Sequence, residues 1–200
     1  MARSRRAPAG RAARIRIIGG AWRRRWLPVL GVGGLRPTAD ALRETLFNWL
    51  QPSLPGARVL DLFAGTGALG LEAASRGAAS VLLVERDARA AAQLQANCET
   101  LRAEQVTVRR DDALRLLAAA PPDGQPYDLV LVDPPFHQDR VVPVLEALVM
   151  QGWIHADSQI YVEIEAEAAL DFLVSSGWHI ERERQGGQAR ALLLTRLPGV

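Results

Sequence analysis

From residue 59 onward the chain alternates short apolar runs with stretches of helical periodicity, and this alternation restricts the fold more than any other feature. VLDLFA (59–64), SVLLVE (80–85), VTVRR (106–110), YDLVLVD (127–133) and IYVEIE (160–165) read as strands. Helices are expected between them, at about 68–76, 87–101, 112–119, 139–151 and 167–176, the second capped by Asp87. Strands separated by helices build a mostly parallel sheet with both faces covered. WHIERER and ARALLLTRL flank Gln185-Gly186-Gly187-Gln188, a hairpin signal that adds an antiparallel strand at the end of the chain.

Upstream, RIRIIGGAWRRRWLPV (14–29) sets β-prone residues on either side of Gly19-Gly20 and predicts a hairpin turning at that pair. A glycine-rich loop over 30–37 follows. Thr38 can then cap a helix to about Leu50, with Asp40 in its first turn and Leu42, Leu46, Trp49 and Leu50 on its apolar face. Three segments are expected: a basic disordered tail (1–13), a basic hairpin extension (14–36) and the α/β domain (37–200).

Charge follows this division. Residues 1–39 carry ten arginines and no acid, whereas the rest of the chain carries fourteen arginines and 22 acids. A basic arm on an acidic body points to a polyanionic partner, nucleic acid first. A merely solubilising role for 1–13 stays open. Arg16, Arg23, Arg24 and Arg25 are the expected phosphate contacts, and the arm is expected to be separable from the rest of the chemistry. Every one of the 24 basic residues is arginine. Schiff-base catalysis, pyridoxal phosphate anchoring and a Walker phosphate loop all need lysine and are excluded. A single cysteine, Cys98, permits no internal disulfide, and with His137, His155 and His179 it offers no metal-ligand spacing, so no metal is expected. No apolar run is long enough to span a membrane, and no signal-like apolar stretch follows the basic start, which suggests a cytoplasmic setting.

Ligands of open parallel sheets bind at the carboxyl ends of the strands. After the first strand stands Asp61-Leu62-Phe63-Ala64-Gly65-Thr66-Gly67-Ala68-Leu69-Gly70. Gly65 and Gly67 allow a tight turn and close approach to a ligand. The second strand ends in Glu85, whose carboxylate can accept both hydroxyls of a ribose diol. The loop also spells the dinucleotide fingerprint G-x-G-x-x-G. Asp61 argues against a pyrophosphate there and for a cationic ammonium. After the fourth strand stands Asp133-Pro134-Pro135-Phe136. Two prolines remove two amide donors, leaving the Asp133 carboxylate and the Pro134 carbonyl as acceptors beside the Phe136 ring. That set suits a planar base bearing an exocyclic amino group, stacked on Phe136 with both N–H bonds held.

These motifs together resemble the class I S-adenosylmethionine-dependent methyltransferases. RIRIIGGAWRRRWL (14–27), LRPTADALRETLFNWL (35–50), Asp61 to Gly70, VDPPF (132–136) and IYVE (160–163) are similar to the bacterial family that methylates guanine N2 of 16S ribosomal RNA. The resemblance implies a Rossmann-like, seven-stranded, mostly parallel sheet with an antiparallel last strand, preceded by an RNA-contacting β-hairpin. It implies S-adenosylmethionine as cofactor, held by Asp61, Phe63, Ala64, Gly65 and Gly67, with Glu85 on the ribose and Asp112 and Ala113 (or Asp111) at the adenine. It implies a target-base pocket of Asp133, Pro134 and Phe136, bordered by Arg36, Thr38, Arg43 and Glu44. The implied partner is 16S ribosomal RNA or a small-subunit assembly intermediate, met by a monomer. Arg24 departs from the pattern, which has glycine there. Other nucleic-acid amino methyltransferases, a protein glutamine-amide methyltransferase and a catalytically silent RNA-binding assembly factor remain as alternatives.

Overall fold

The computed structural model describes residues 14–30 and 40–197. The basic tail, Arg36 and Thr38 lie outside the described residues. The chain runs through β1 (Arg14–Arg16), β2 (Trp26–Pro28), α1 (Asp40–Leu50), β3 (Arg58–Asp61), α2 (Gly70–Ser75), β4 (Ser80–Glu85), α3 (Ala88–Leu101), β5 (Val106–Arg110), α4 (Ala113–Leu117) and β6 (Tyr127–Val132). It continues through α5 (Val141–Met150), β7 (Ile154–Glu165), α6 (Asp171–Ser175), β8 (Trp178–Gly186) and β9 (Ala189–Arg196). Seven strands form one sheet in the order β5-β4-β3-β6-β7-β9-β8. Neighbours from β5 across to β7 are parallel, and β9 runs antiparallel to both β7 and β8. The sheet thus has the seven strands and antiparallel last strand implied by the resemblance.

Strand alternation divides the core into two layers. Val59, Leu83, Leu131, Tyr161 and Leu193 face α1, α2, α3 and the hairpin. Leu60, Val84, Val130, Val162 and Leu192 face α4, α5 and α6. Helix boundaries follow local chemistry. Asp87 caps α3 by accepting the Arg89 and Ala90 amides, both at 2.9 Å, and Arg102 ends it in the left-handed conformation that closes many helices. Asp112 caps α4 in the same way.

Three sequence expectations are corrected. First, Gly19-Gly20 is not the hairpin turn. β1 and β2 are joined by a longer connection containing a 3₁₀ turn over Gly20–Trp22, and the glycines press against α2. A Cβ on Gly20 would stand 1.8 Å from the Ser75 carbonyl oxygen, and Gly20 holds φ +74°. Second, the buried face of α1 includes Phe47 as well as Leu42, Leu46 and Leu50, with Trp49 partly buried against the same cluster. Third, β7 begins at Ile154, because a bulge changes its register against β6 between Tyr127 and Leu129. The Ser158 hydroxyl holds this irregularity, accepting from His155 N–H and donating to the Tyr127 carbonyl.

The hairpin is no loosely attached arm. Ile15, Ile17 and Leu27 are buried in the same cluster as Leu46, Leu71 and Tyr161. The fully buried Glu72 of α2 accepts the Ile18 and Gly19 amides at 2.7 Å each and also holds Arg76. Ser75 accepts the Trp22 amide and donates to the Gly19 carbonyl, and Asn97 donates to Pro28. Removing the hairpin would therefore expose core and leave a buried carboxylate short of partners, which argues against the expected separability.

Candidate active site

β3 pairs with β4 on one side and β6 on the other, so the chain reverses its direction of travel across the sheet at β3. Crevices open at such switch points, outside the carboxyl ends of the strands. Here a cleft of about 590 Å³ is lined by Asp61, Phe63, Ala64, Gly65, Glu85, Asp111, Asp112, Ala113, Asp133, Pro134 and Phe136. Loops separated by seventy residues of sequence are brought together by the parallel register.

Asp61 is 1% exposed. Its Oδ2 accepts the Gly70 amide at 3.0 Å, while Oδ1 has no hydrogen-bond partner among the described residues. Burial pushes its carboxyl up to about 7. The Gly70 and Phe63 amides oppose the rise, the latter without full hydrogen-bond geometry, and nearby Glu85 adds to it. A buried, unsatisfied oxygen on a cleft wall is costly unless a donor arrives. Glu85 ties two loops together, accepting the Gly65 amide at 2.9 Å and the Asp87 amide at 2.7 Å. A carboxylate has about four acceptor positions, so these bonds leave capacity for a diol.

Both acids after β5 line the cleft, each with its own arginine partners. Asp111 carries Arg109 and Arg115, and Asp112 caps α4 while its Oδ2 holds Arg140 at 3.1 Å. Despite desolvation, these partners hold both carboxyls below the usual range. Asp133 and Phe136 are half-buried and Pro134 is buried, so the motif presents a rigid wall rather than a free loop. Phe136 packs against the core layer that includes the hairpin.

Two expected site residues stand elsewhere. Gly67 is not on the cleft wall. Its backbone takes φ +80°, and a Cβ there would come within 2.6 Å of Leu94 and 2.8 Å of Leu71, so its role is close packing of the loop on α2 and α3. Arg43, expected at the border of the base pocket, is 2% exposed and does not line the cleft. Its guanidinium donates to the carbonyls of Arg16 in the hairpin and Ala68 in the glycine loop, joining the two. Arg16, Arg23, Arg24 and Arg25 are exposed. Arg24 adopts φ +67°, which glycine takes freely and arginine does not, so the glycine of the family pattern has a conformational reason.

The sequence reading missed Glu163 and Arg140 on the cleft. Glu163 stood inside the quoted IYVE motif, but only the sheet register shows that it lies beside Asp133. A larger hollow of about 1100 Å³ opens at the opposite end of the sheet, among Ser53, Asp128, His155 and Gln159. It holds none of the motif residues. Cys98 is buried, and burial pushes its thiol up to about 11, which keeps it protonated and unreactive.

The cleft is dominated by carboxylates, which repel a pyrophosphate and attract a cation. S-adenosylmethionine carries an ammonium and a sulfonium against one carboxylate, and the unpartnered Asp61 oxygen fits its ammonium. Fold and cleft together define a Rossmann-like methyltransferase of class I. Within that class, the chain belongs to the family described as Conserved hypothetical protein 95, which matches residues 15–195. It is 45% identical over 185 residues to Ribosomal RNA small subunit methyltransferase D of Escherichia coli, covering 92% of this chain and 91% of the relative. The protein of that name from Haemophilus influenzae is 42% identical, covering 86% of this chain and 89% of the relative. A solved Escherichia coli structure, yhhF, superposes with a TM-score of 0.82 at 44% identity, covering 92% of this chain and 99% of that one.

Proposed function

We propose that this protein transfers a methyl group from S-adenosylmethionine to the exocyclic N2 of a guanine in small-subunit ribosomal RNA. One observation carries the reading: a single cleft joins the buried Asp61, with an oxygen awaiting a donor, to the rigid acceptors of Asp133-Pro134 beside Phe136. The names of the relatives supply the RNA. When bound, the cofactor contributes a methyl on a sulfonium, an electrophile that is already activated. Asp61 would hold its ammonium, Glu85 its ribose, and Phe63, Ala64, Gly65, Asp112 and Ala113 its remaining surface.

The residues of the chain then have to position the base. Guanine N2 is engaged in pairing inside a duplex, so the base enters unpaired or flipped. Phe136 stacks on it. Asp133 and the Pro134 carbonyl accept the two N–H bonds and turn the nitrogen lone pair out of the ring plane. Asp133 takes the proton that the nitrogen sheds. The exposed hairpin arginines contact phosphates. On this reading the protein works as a monomer in the cytoplasm, on 16S ribosomal RNA or an assembling small subunit. The test is transfer of labelled methyl to that RNA, free and in small-subunit particles, with the product mapped. Asp133→Ala is expected to lose turnover and keep cofactor affinity by calorimetry; an active Asp133→Ala protein would contradict the role given to Asp133.

A further inference from the structure

Register and alternation across the sheet set three carboxylates on one face, two of them at the same level. Asp61 pairs with Leu131, Leu131 with Tyr161, and Val132 with Val162. Val59, Leu129, Leu131 and Tyr161 all face the hairpin layer. Continuing that alternation puts Asp61, Asp133 and Glu163 on the same face, with the last two side by side just beyond the ends of β6 and at the same level on β7. Glu163 lines the cleft with Asp133, Pro134 and Phe136 and is 5% exposed. It is held from below by the Tyr161 hydroxyl, which donates to Oε2 at 3.1 Å. A carboxylate has about four acceptor positions, more than the Tyr161 bond takes up. Burial, then the charges of Glu163 and Asp133, push the Tyr161 phenol well up, so this anchor stays a donor.

We infer that Glu163 selects guanine, its carboxylate accepting the N1–H of the base while Asp133 accepts the adjacent amino hydrogen. This rests on the guanine-N2 reading above. The chemistry is discriminating because of what lies next to each amino group. In adenine and cytosine the ring nitrogen beside the exocyclic amine is an acceptor. In guanine one of the two flanking ring nitrogens, N1, carries a hydrogen. Two neighbouring carboxylates therefore match the amide-like edge of guanine and set an anion against a lone pair in the other two bases. Discrimination of this kind, by a buried polar group left facing the wrong partner, is stronger than discrimination by shape.

The experiment uses the full chain and small-subunit RNA assembled by ligation, with the mapped target guanine retained or replaced by 2-aminopurine. That analogue keeps the N2 amine but has an acceptor at N1. The native protein should prefer guanine by at least about 100-fold in kcat/KM, a floor below the roughly 10⁴–10⁵ by which hydrogen-bonding sites reject mismatched analogues. Glu163→Gln should lose about 10–100-fold on guanine, and its guanine preference should collapse to within about ten-fold, because a carboxamide can donate to N1. Cofactor affinity by calorimetry should be unchanged. Native protein that methylates 2-aminopurine as well as guanine overturns the inference without recourse to any variant. So does a Glu163→Gln protein with native preference. Native protein that forms no N2-methylguanine overturns the guanine reading itself, and the inference with it.

Discussion

Asp61→Asn separates stability from binding in a way that few other single changes could. The substitution keeps the shape of the side chain and an acceptor for the Gly70 amide, and it removes the charge. In the native protein the folded carboxyl titrates at about 7, against an ordinary value of 3.8. Below pH 3.8 folded and unfolded chains are both protonated at this site, and native and variant proteins should differ little. As pH rises, the unfolded chain gains freely by ionising while the folded chain cannot, so the native protein loses stability until pH passes 7. Three units of displacement correspond to about 4 kcal/mol, or roughly 8–16 °C in Tm for a chain of this size. The variant should therefore be more stable at pH 8, by about that amount, and equally stable at pH 3.5. It should also bind S-adenosylmethionine at least about 30-fold more weakly, having no charge for the ammonium. The native protein should bind the cofactor about five-fold more weakly at pH 6 than at pH 7, since binding must first ionise Asp61. Thermal unfolding across pH and calorimetry in two buffers of different ionisation enthalpy read these effects. A difference in stability that stays flat between pH 4 and 7, or a variant that binds the cofactor normally, would refute the reasoning.

Other perturbations address the hairpin. Glu72→Ala strands two hairpin amides and the Arg76 guanidinium and should cost about 3–5 kcal/mol by denaturant unfolding, even though Glu72 touches no ligand. Gly20→Ala drives a Cβ into the Ser75 carbonyl at positive φ and should cost at least about 3 kcal/mol, where the same change at Gly186, with open space around it, should be mild. Arg24→Gly relieves a left-handed arginine and should raise stability by up to about 1 kcal/mol; it should also lower the slope of RNA affinity against salt by about one counterion, measured by filter binding.

Local patterns carried most of the fold. Four strands of the main sheet were readable because buried parallel strands are written as runs rich in Val, Ile and Leu, the edge strand β5 by its Val-Thr-Val alone, and Asp87 marked a helix start because its side chain does local work. What escaped was set by distant contact. Gly19-Gly20 carries the composition of a turn, yet its reason is the close approach of α2, more than fifty residues away. Arg43 carries the charge of a surface helix, yet it is buried between two backbone carbonyls belonging to other segments. Gly67 sits in a ligand-binding motif and serves packing. The cleft itself was largely legible, since each strand end bore an unusual acid or proline. Glu163 and Arg140 were the exceptions; the place of Glu163 beside Asp133 depends on strand register, which the local sequence does not encode.

The central claim is that a cationic methyl donor lies against Asp61 at the switch point, with the target base at Asp133. A crystal structure of the protein with S-adenosylmethionine tests it directly. The account predicts the donor's ammonium within hydrogen-bond distance of Asp61 Oδ1, its ribose on Glu85 and its methyl facing Asp133. Donor found in the hollow lined by Asp128 and His155, or bound in the cleft with its ammonium away from Asp61, would contradict it.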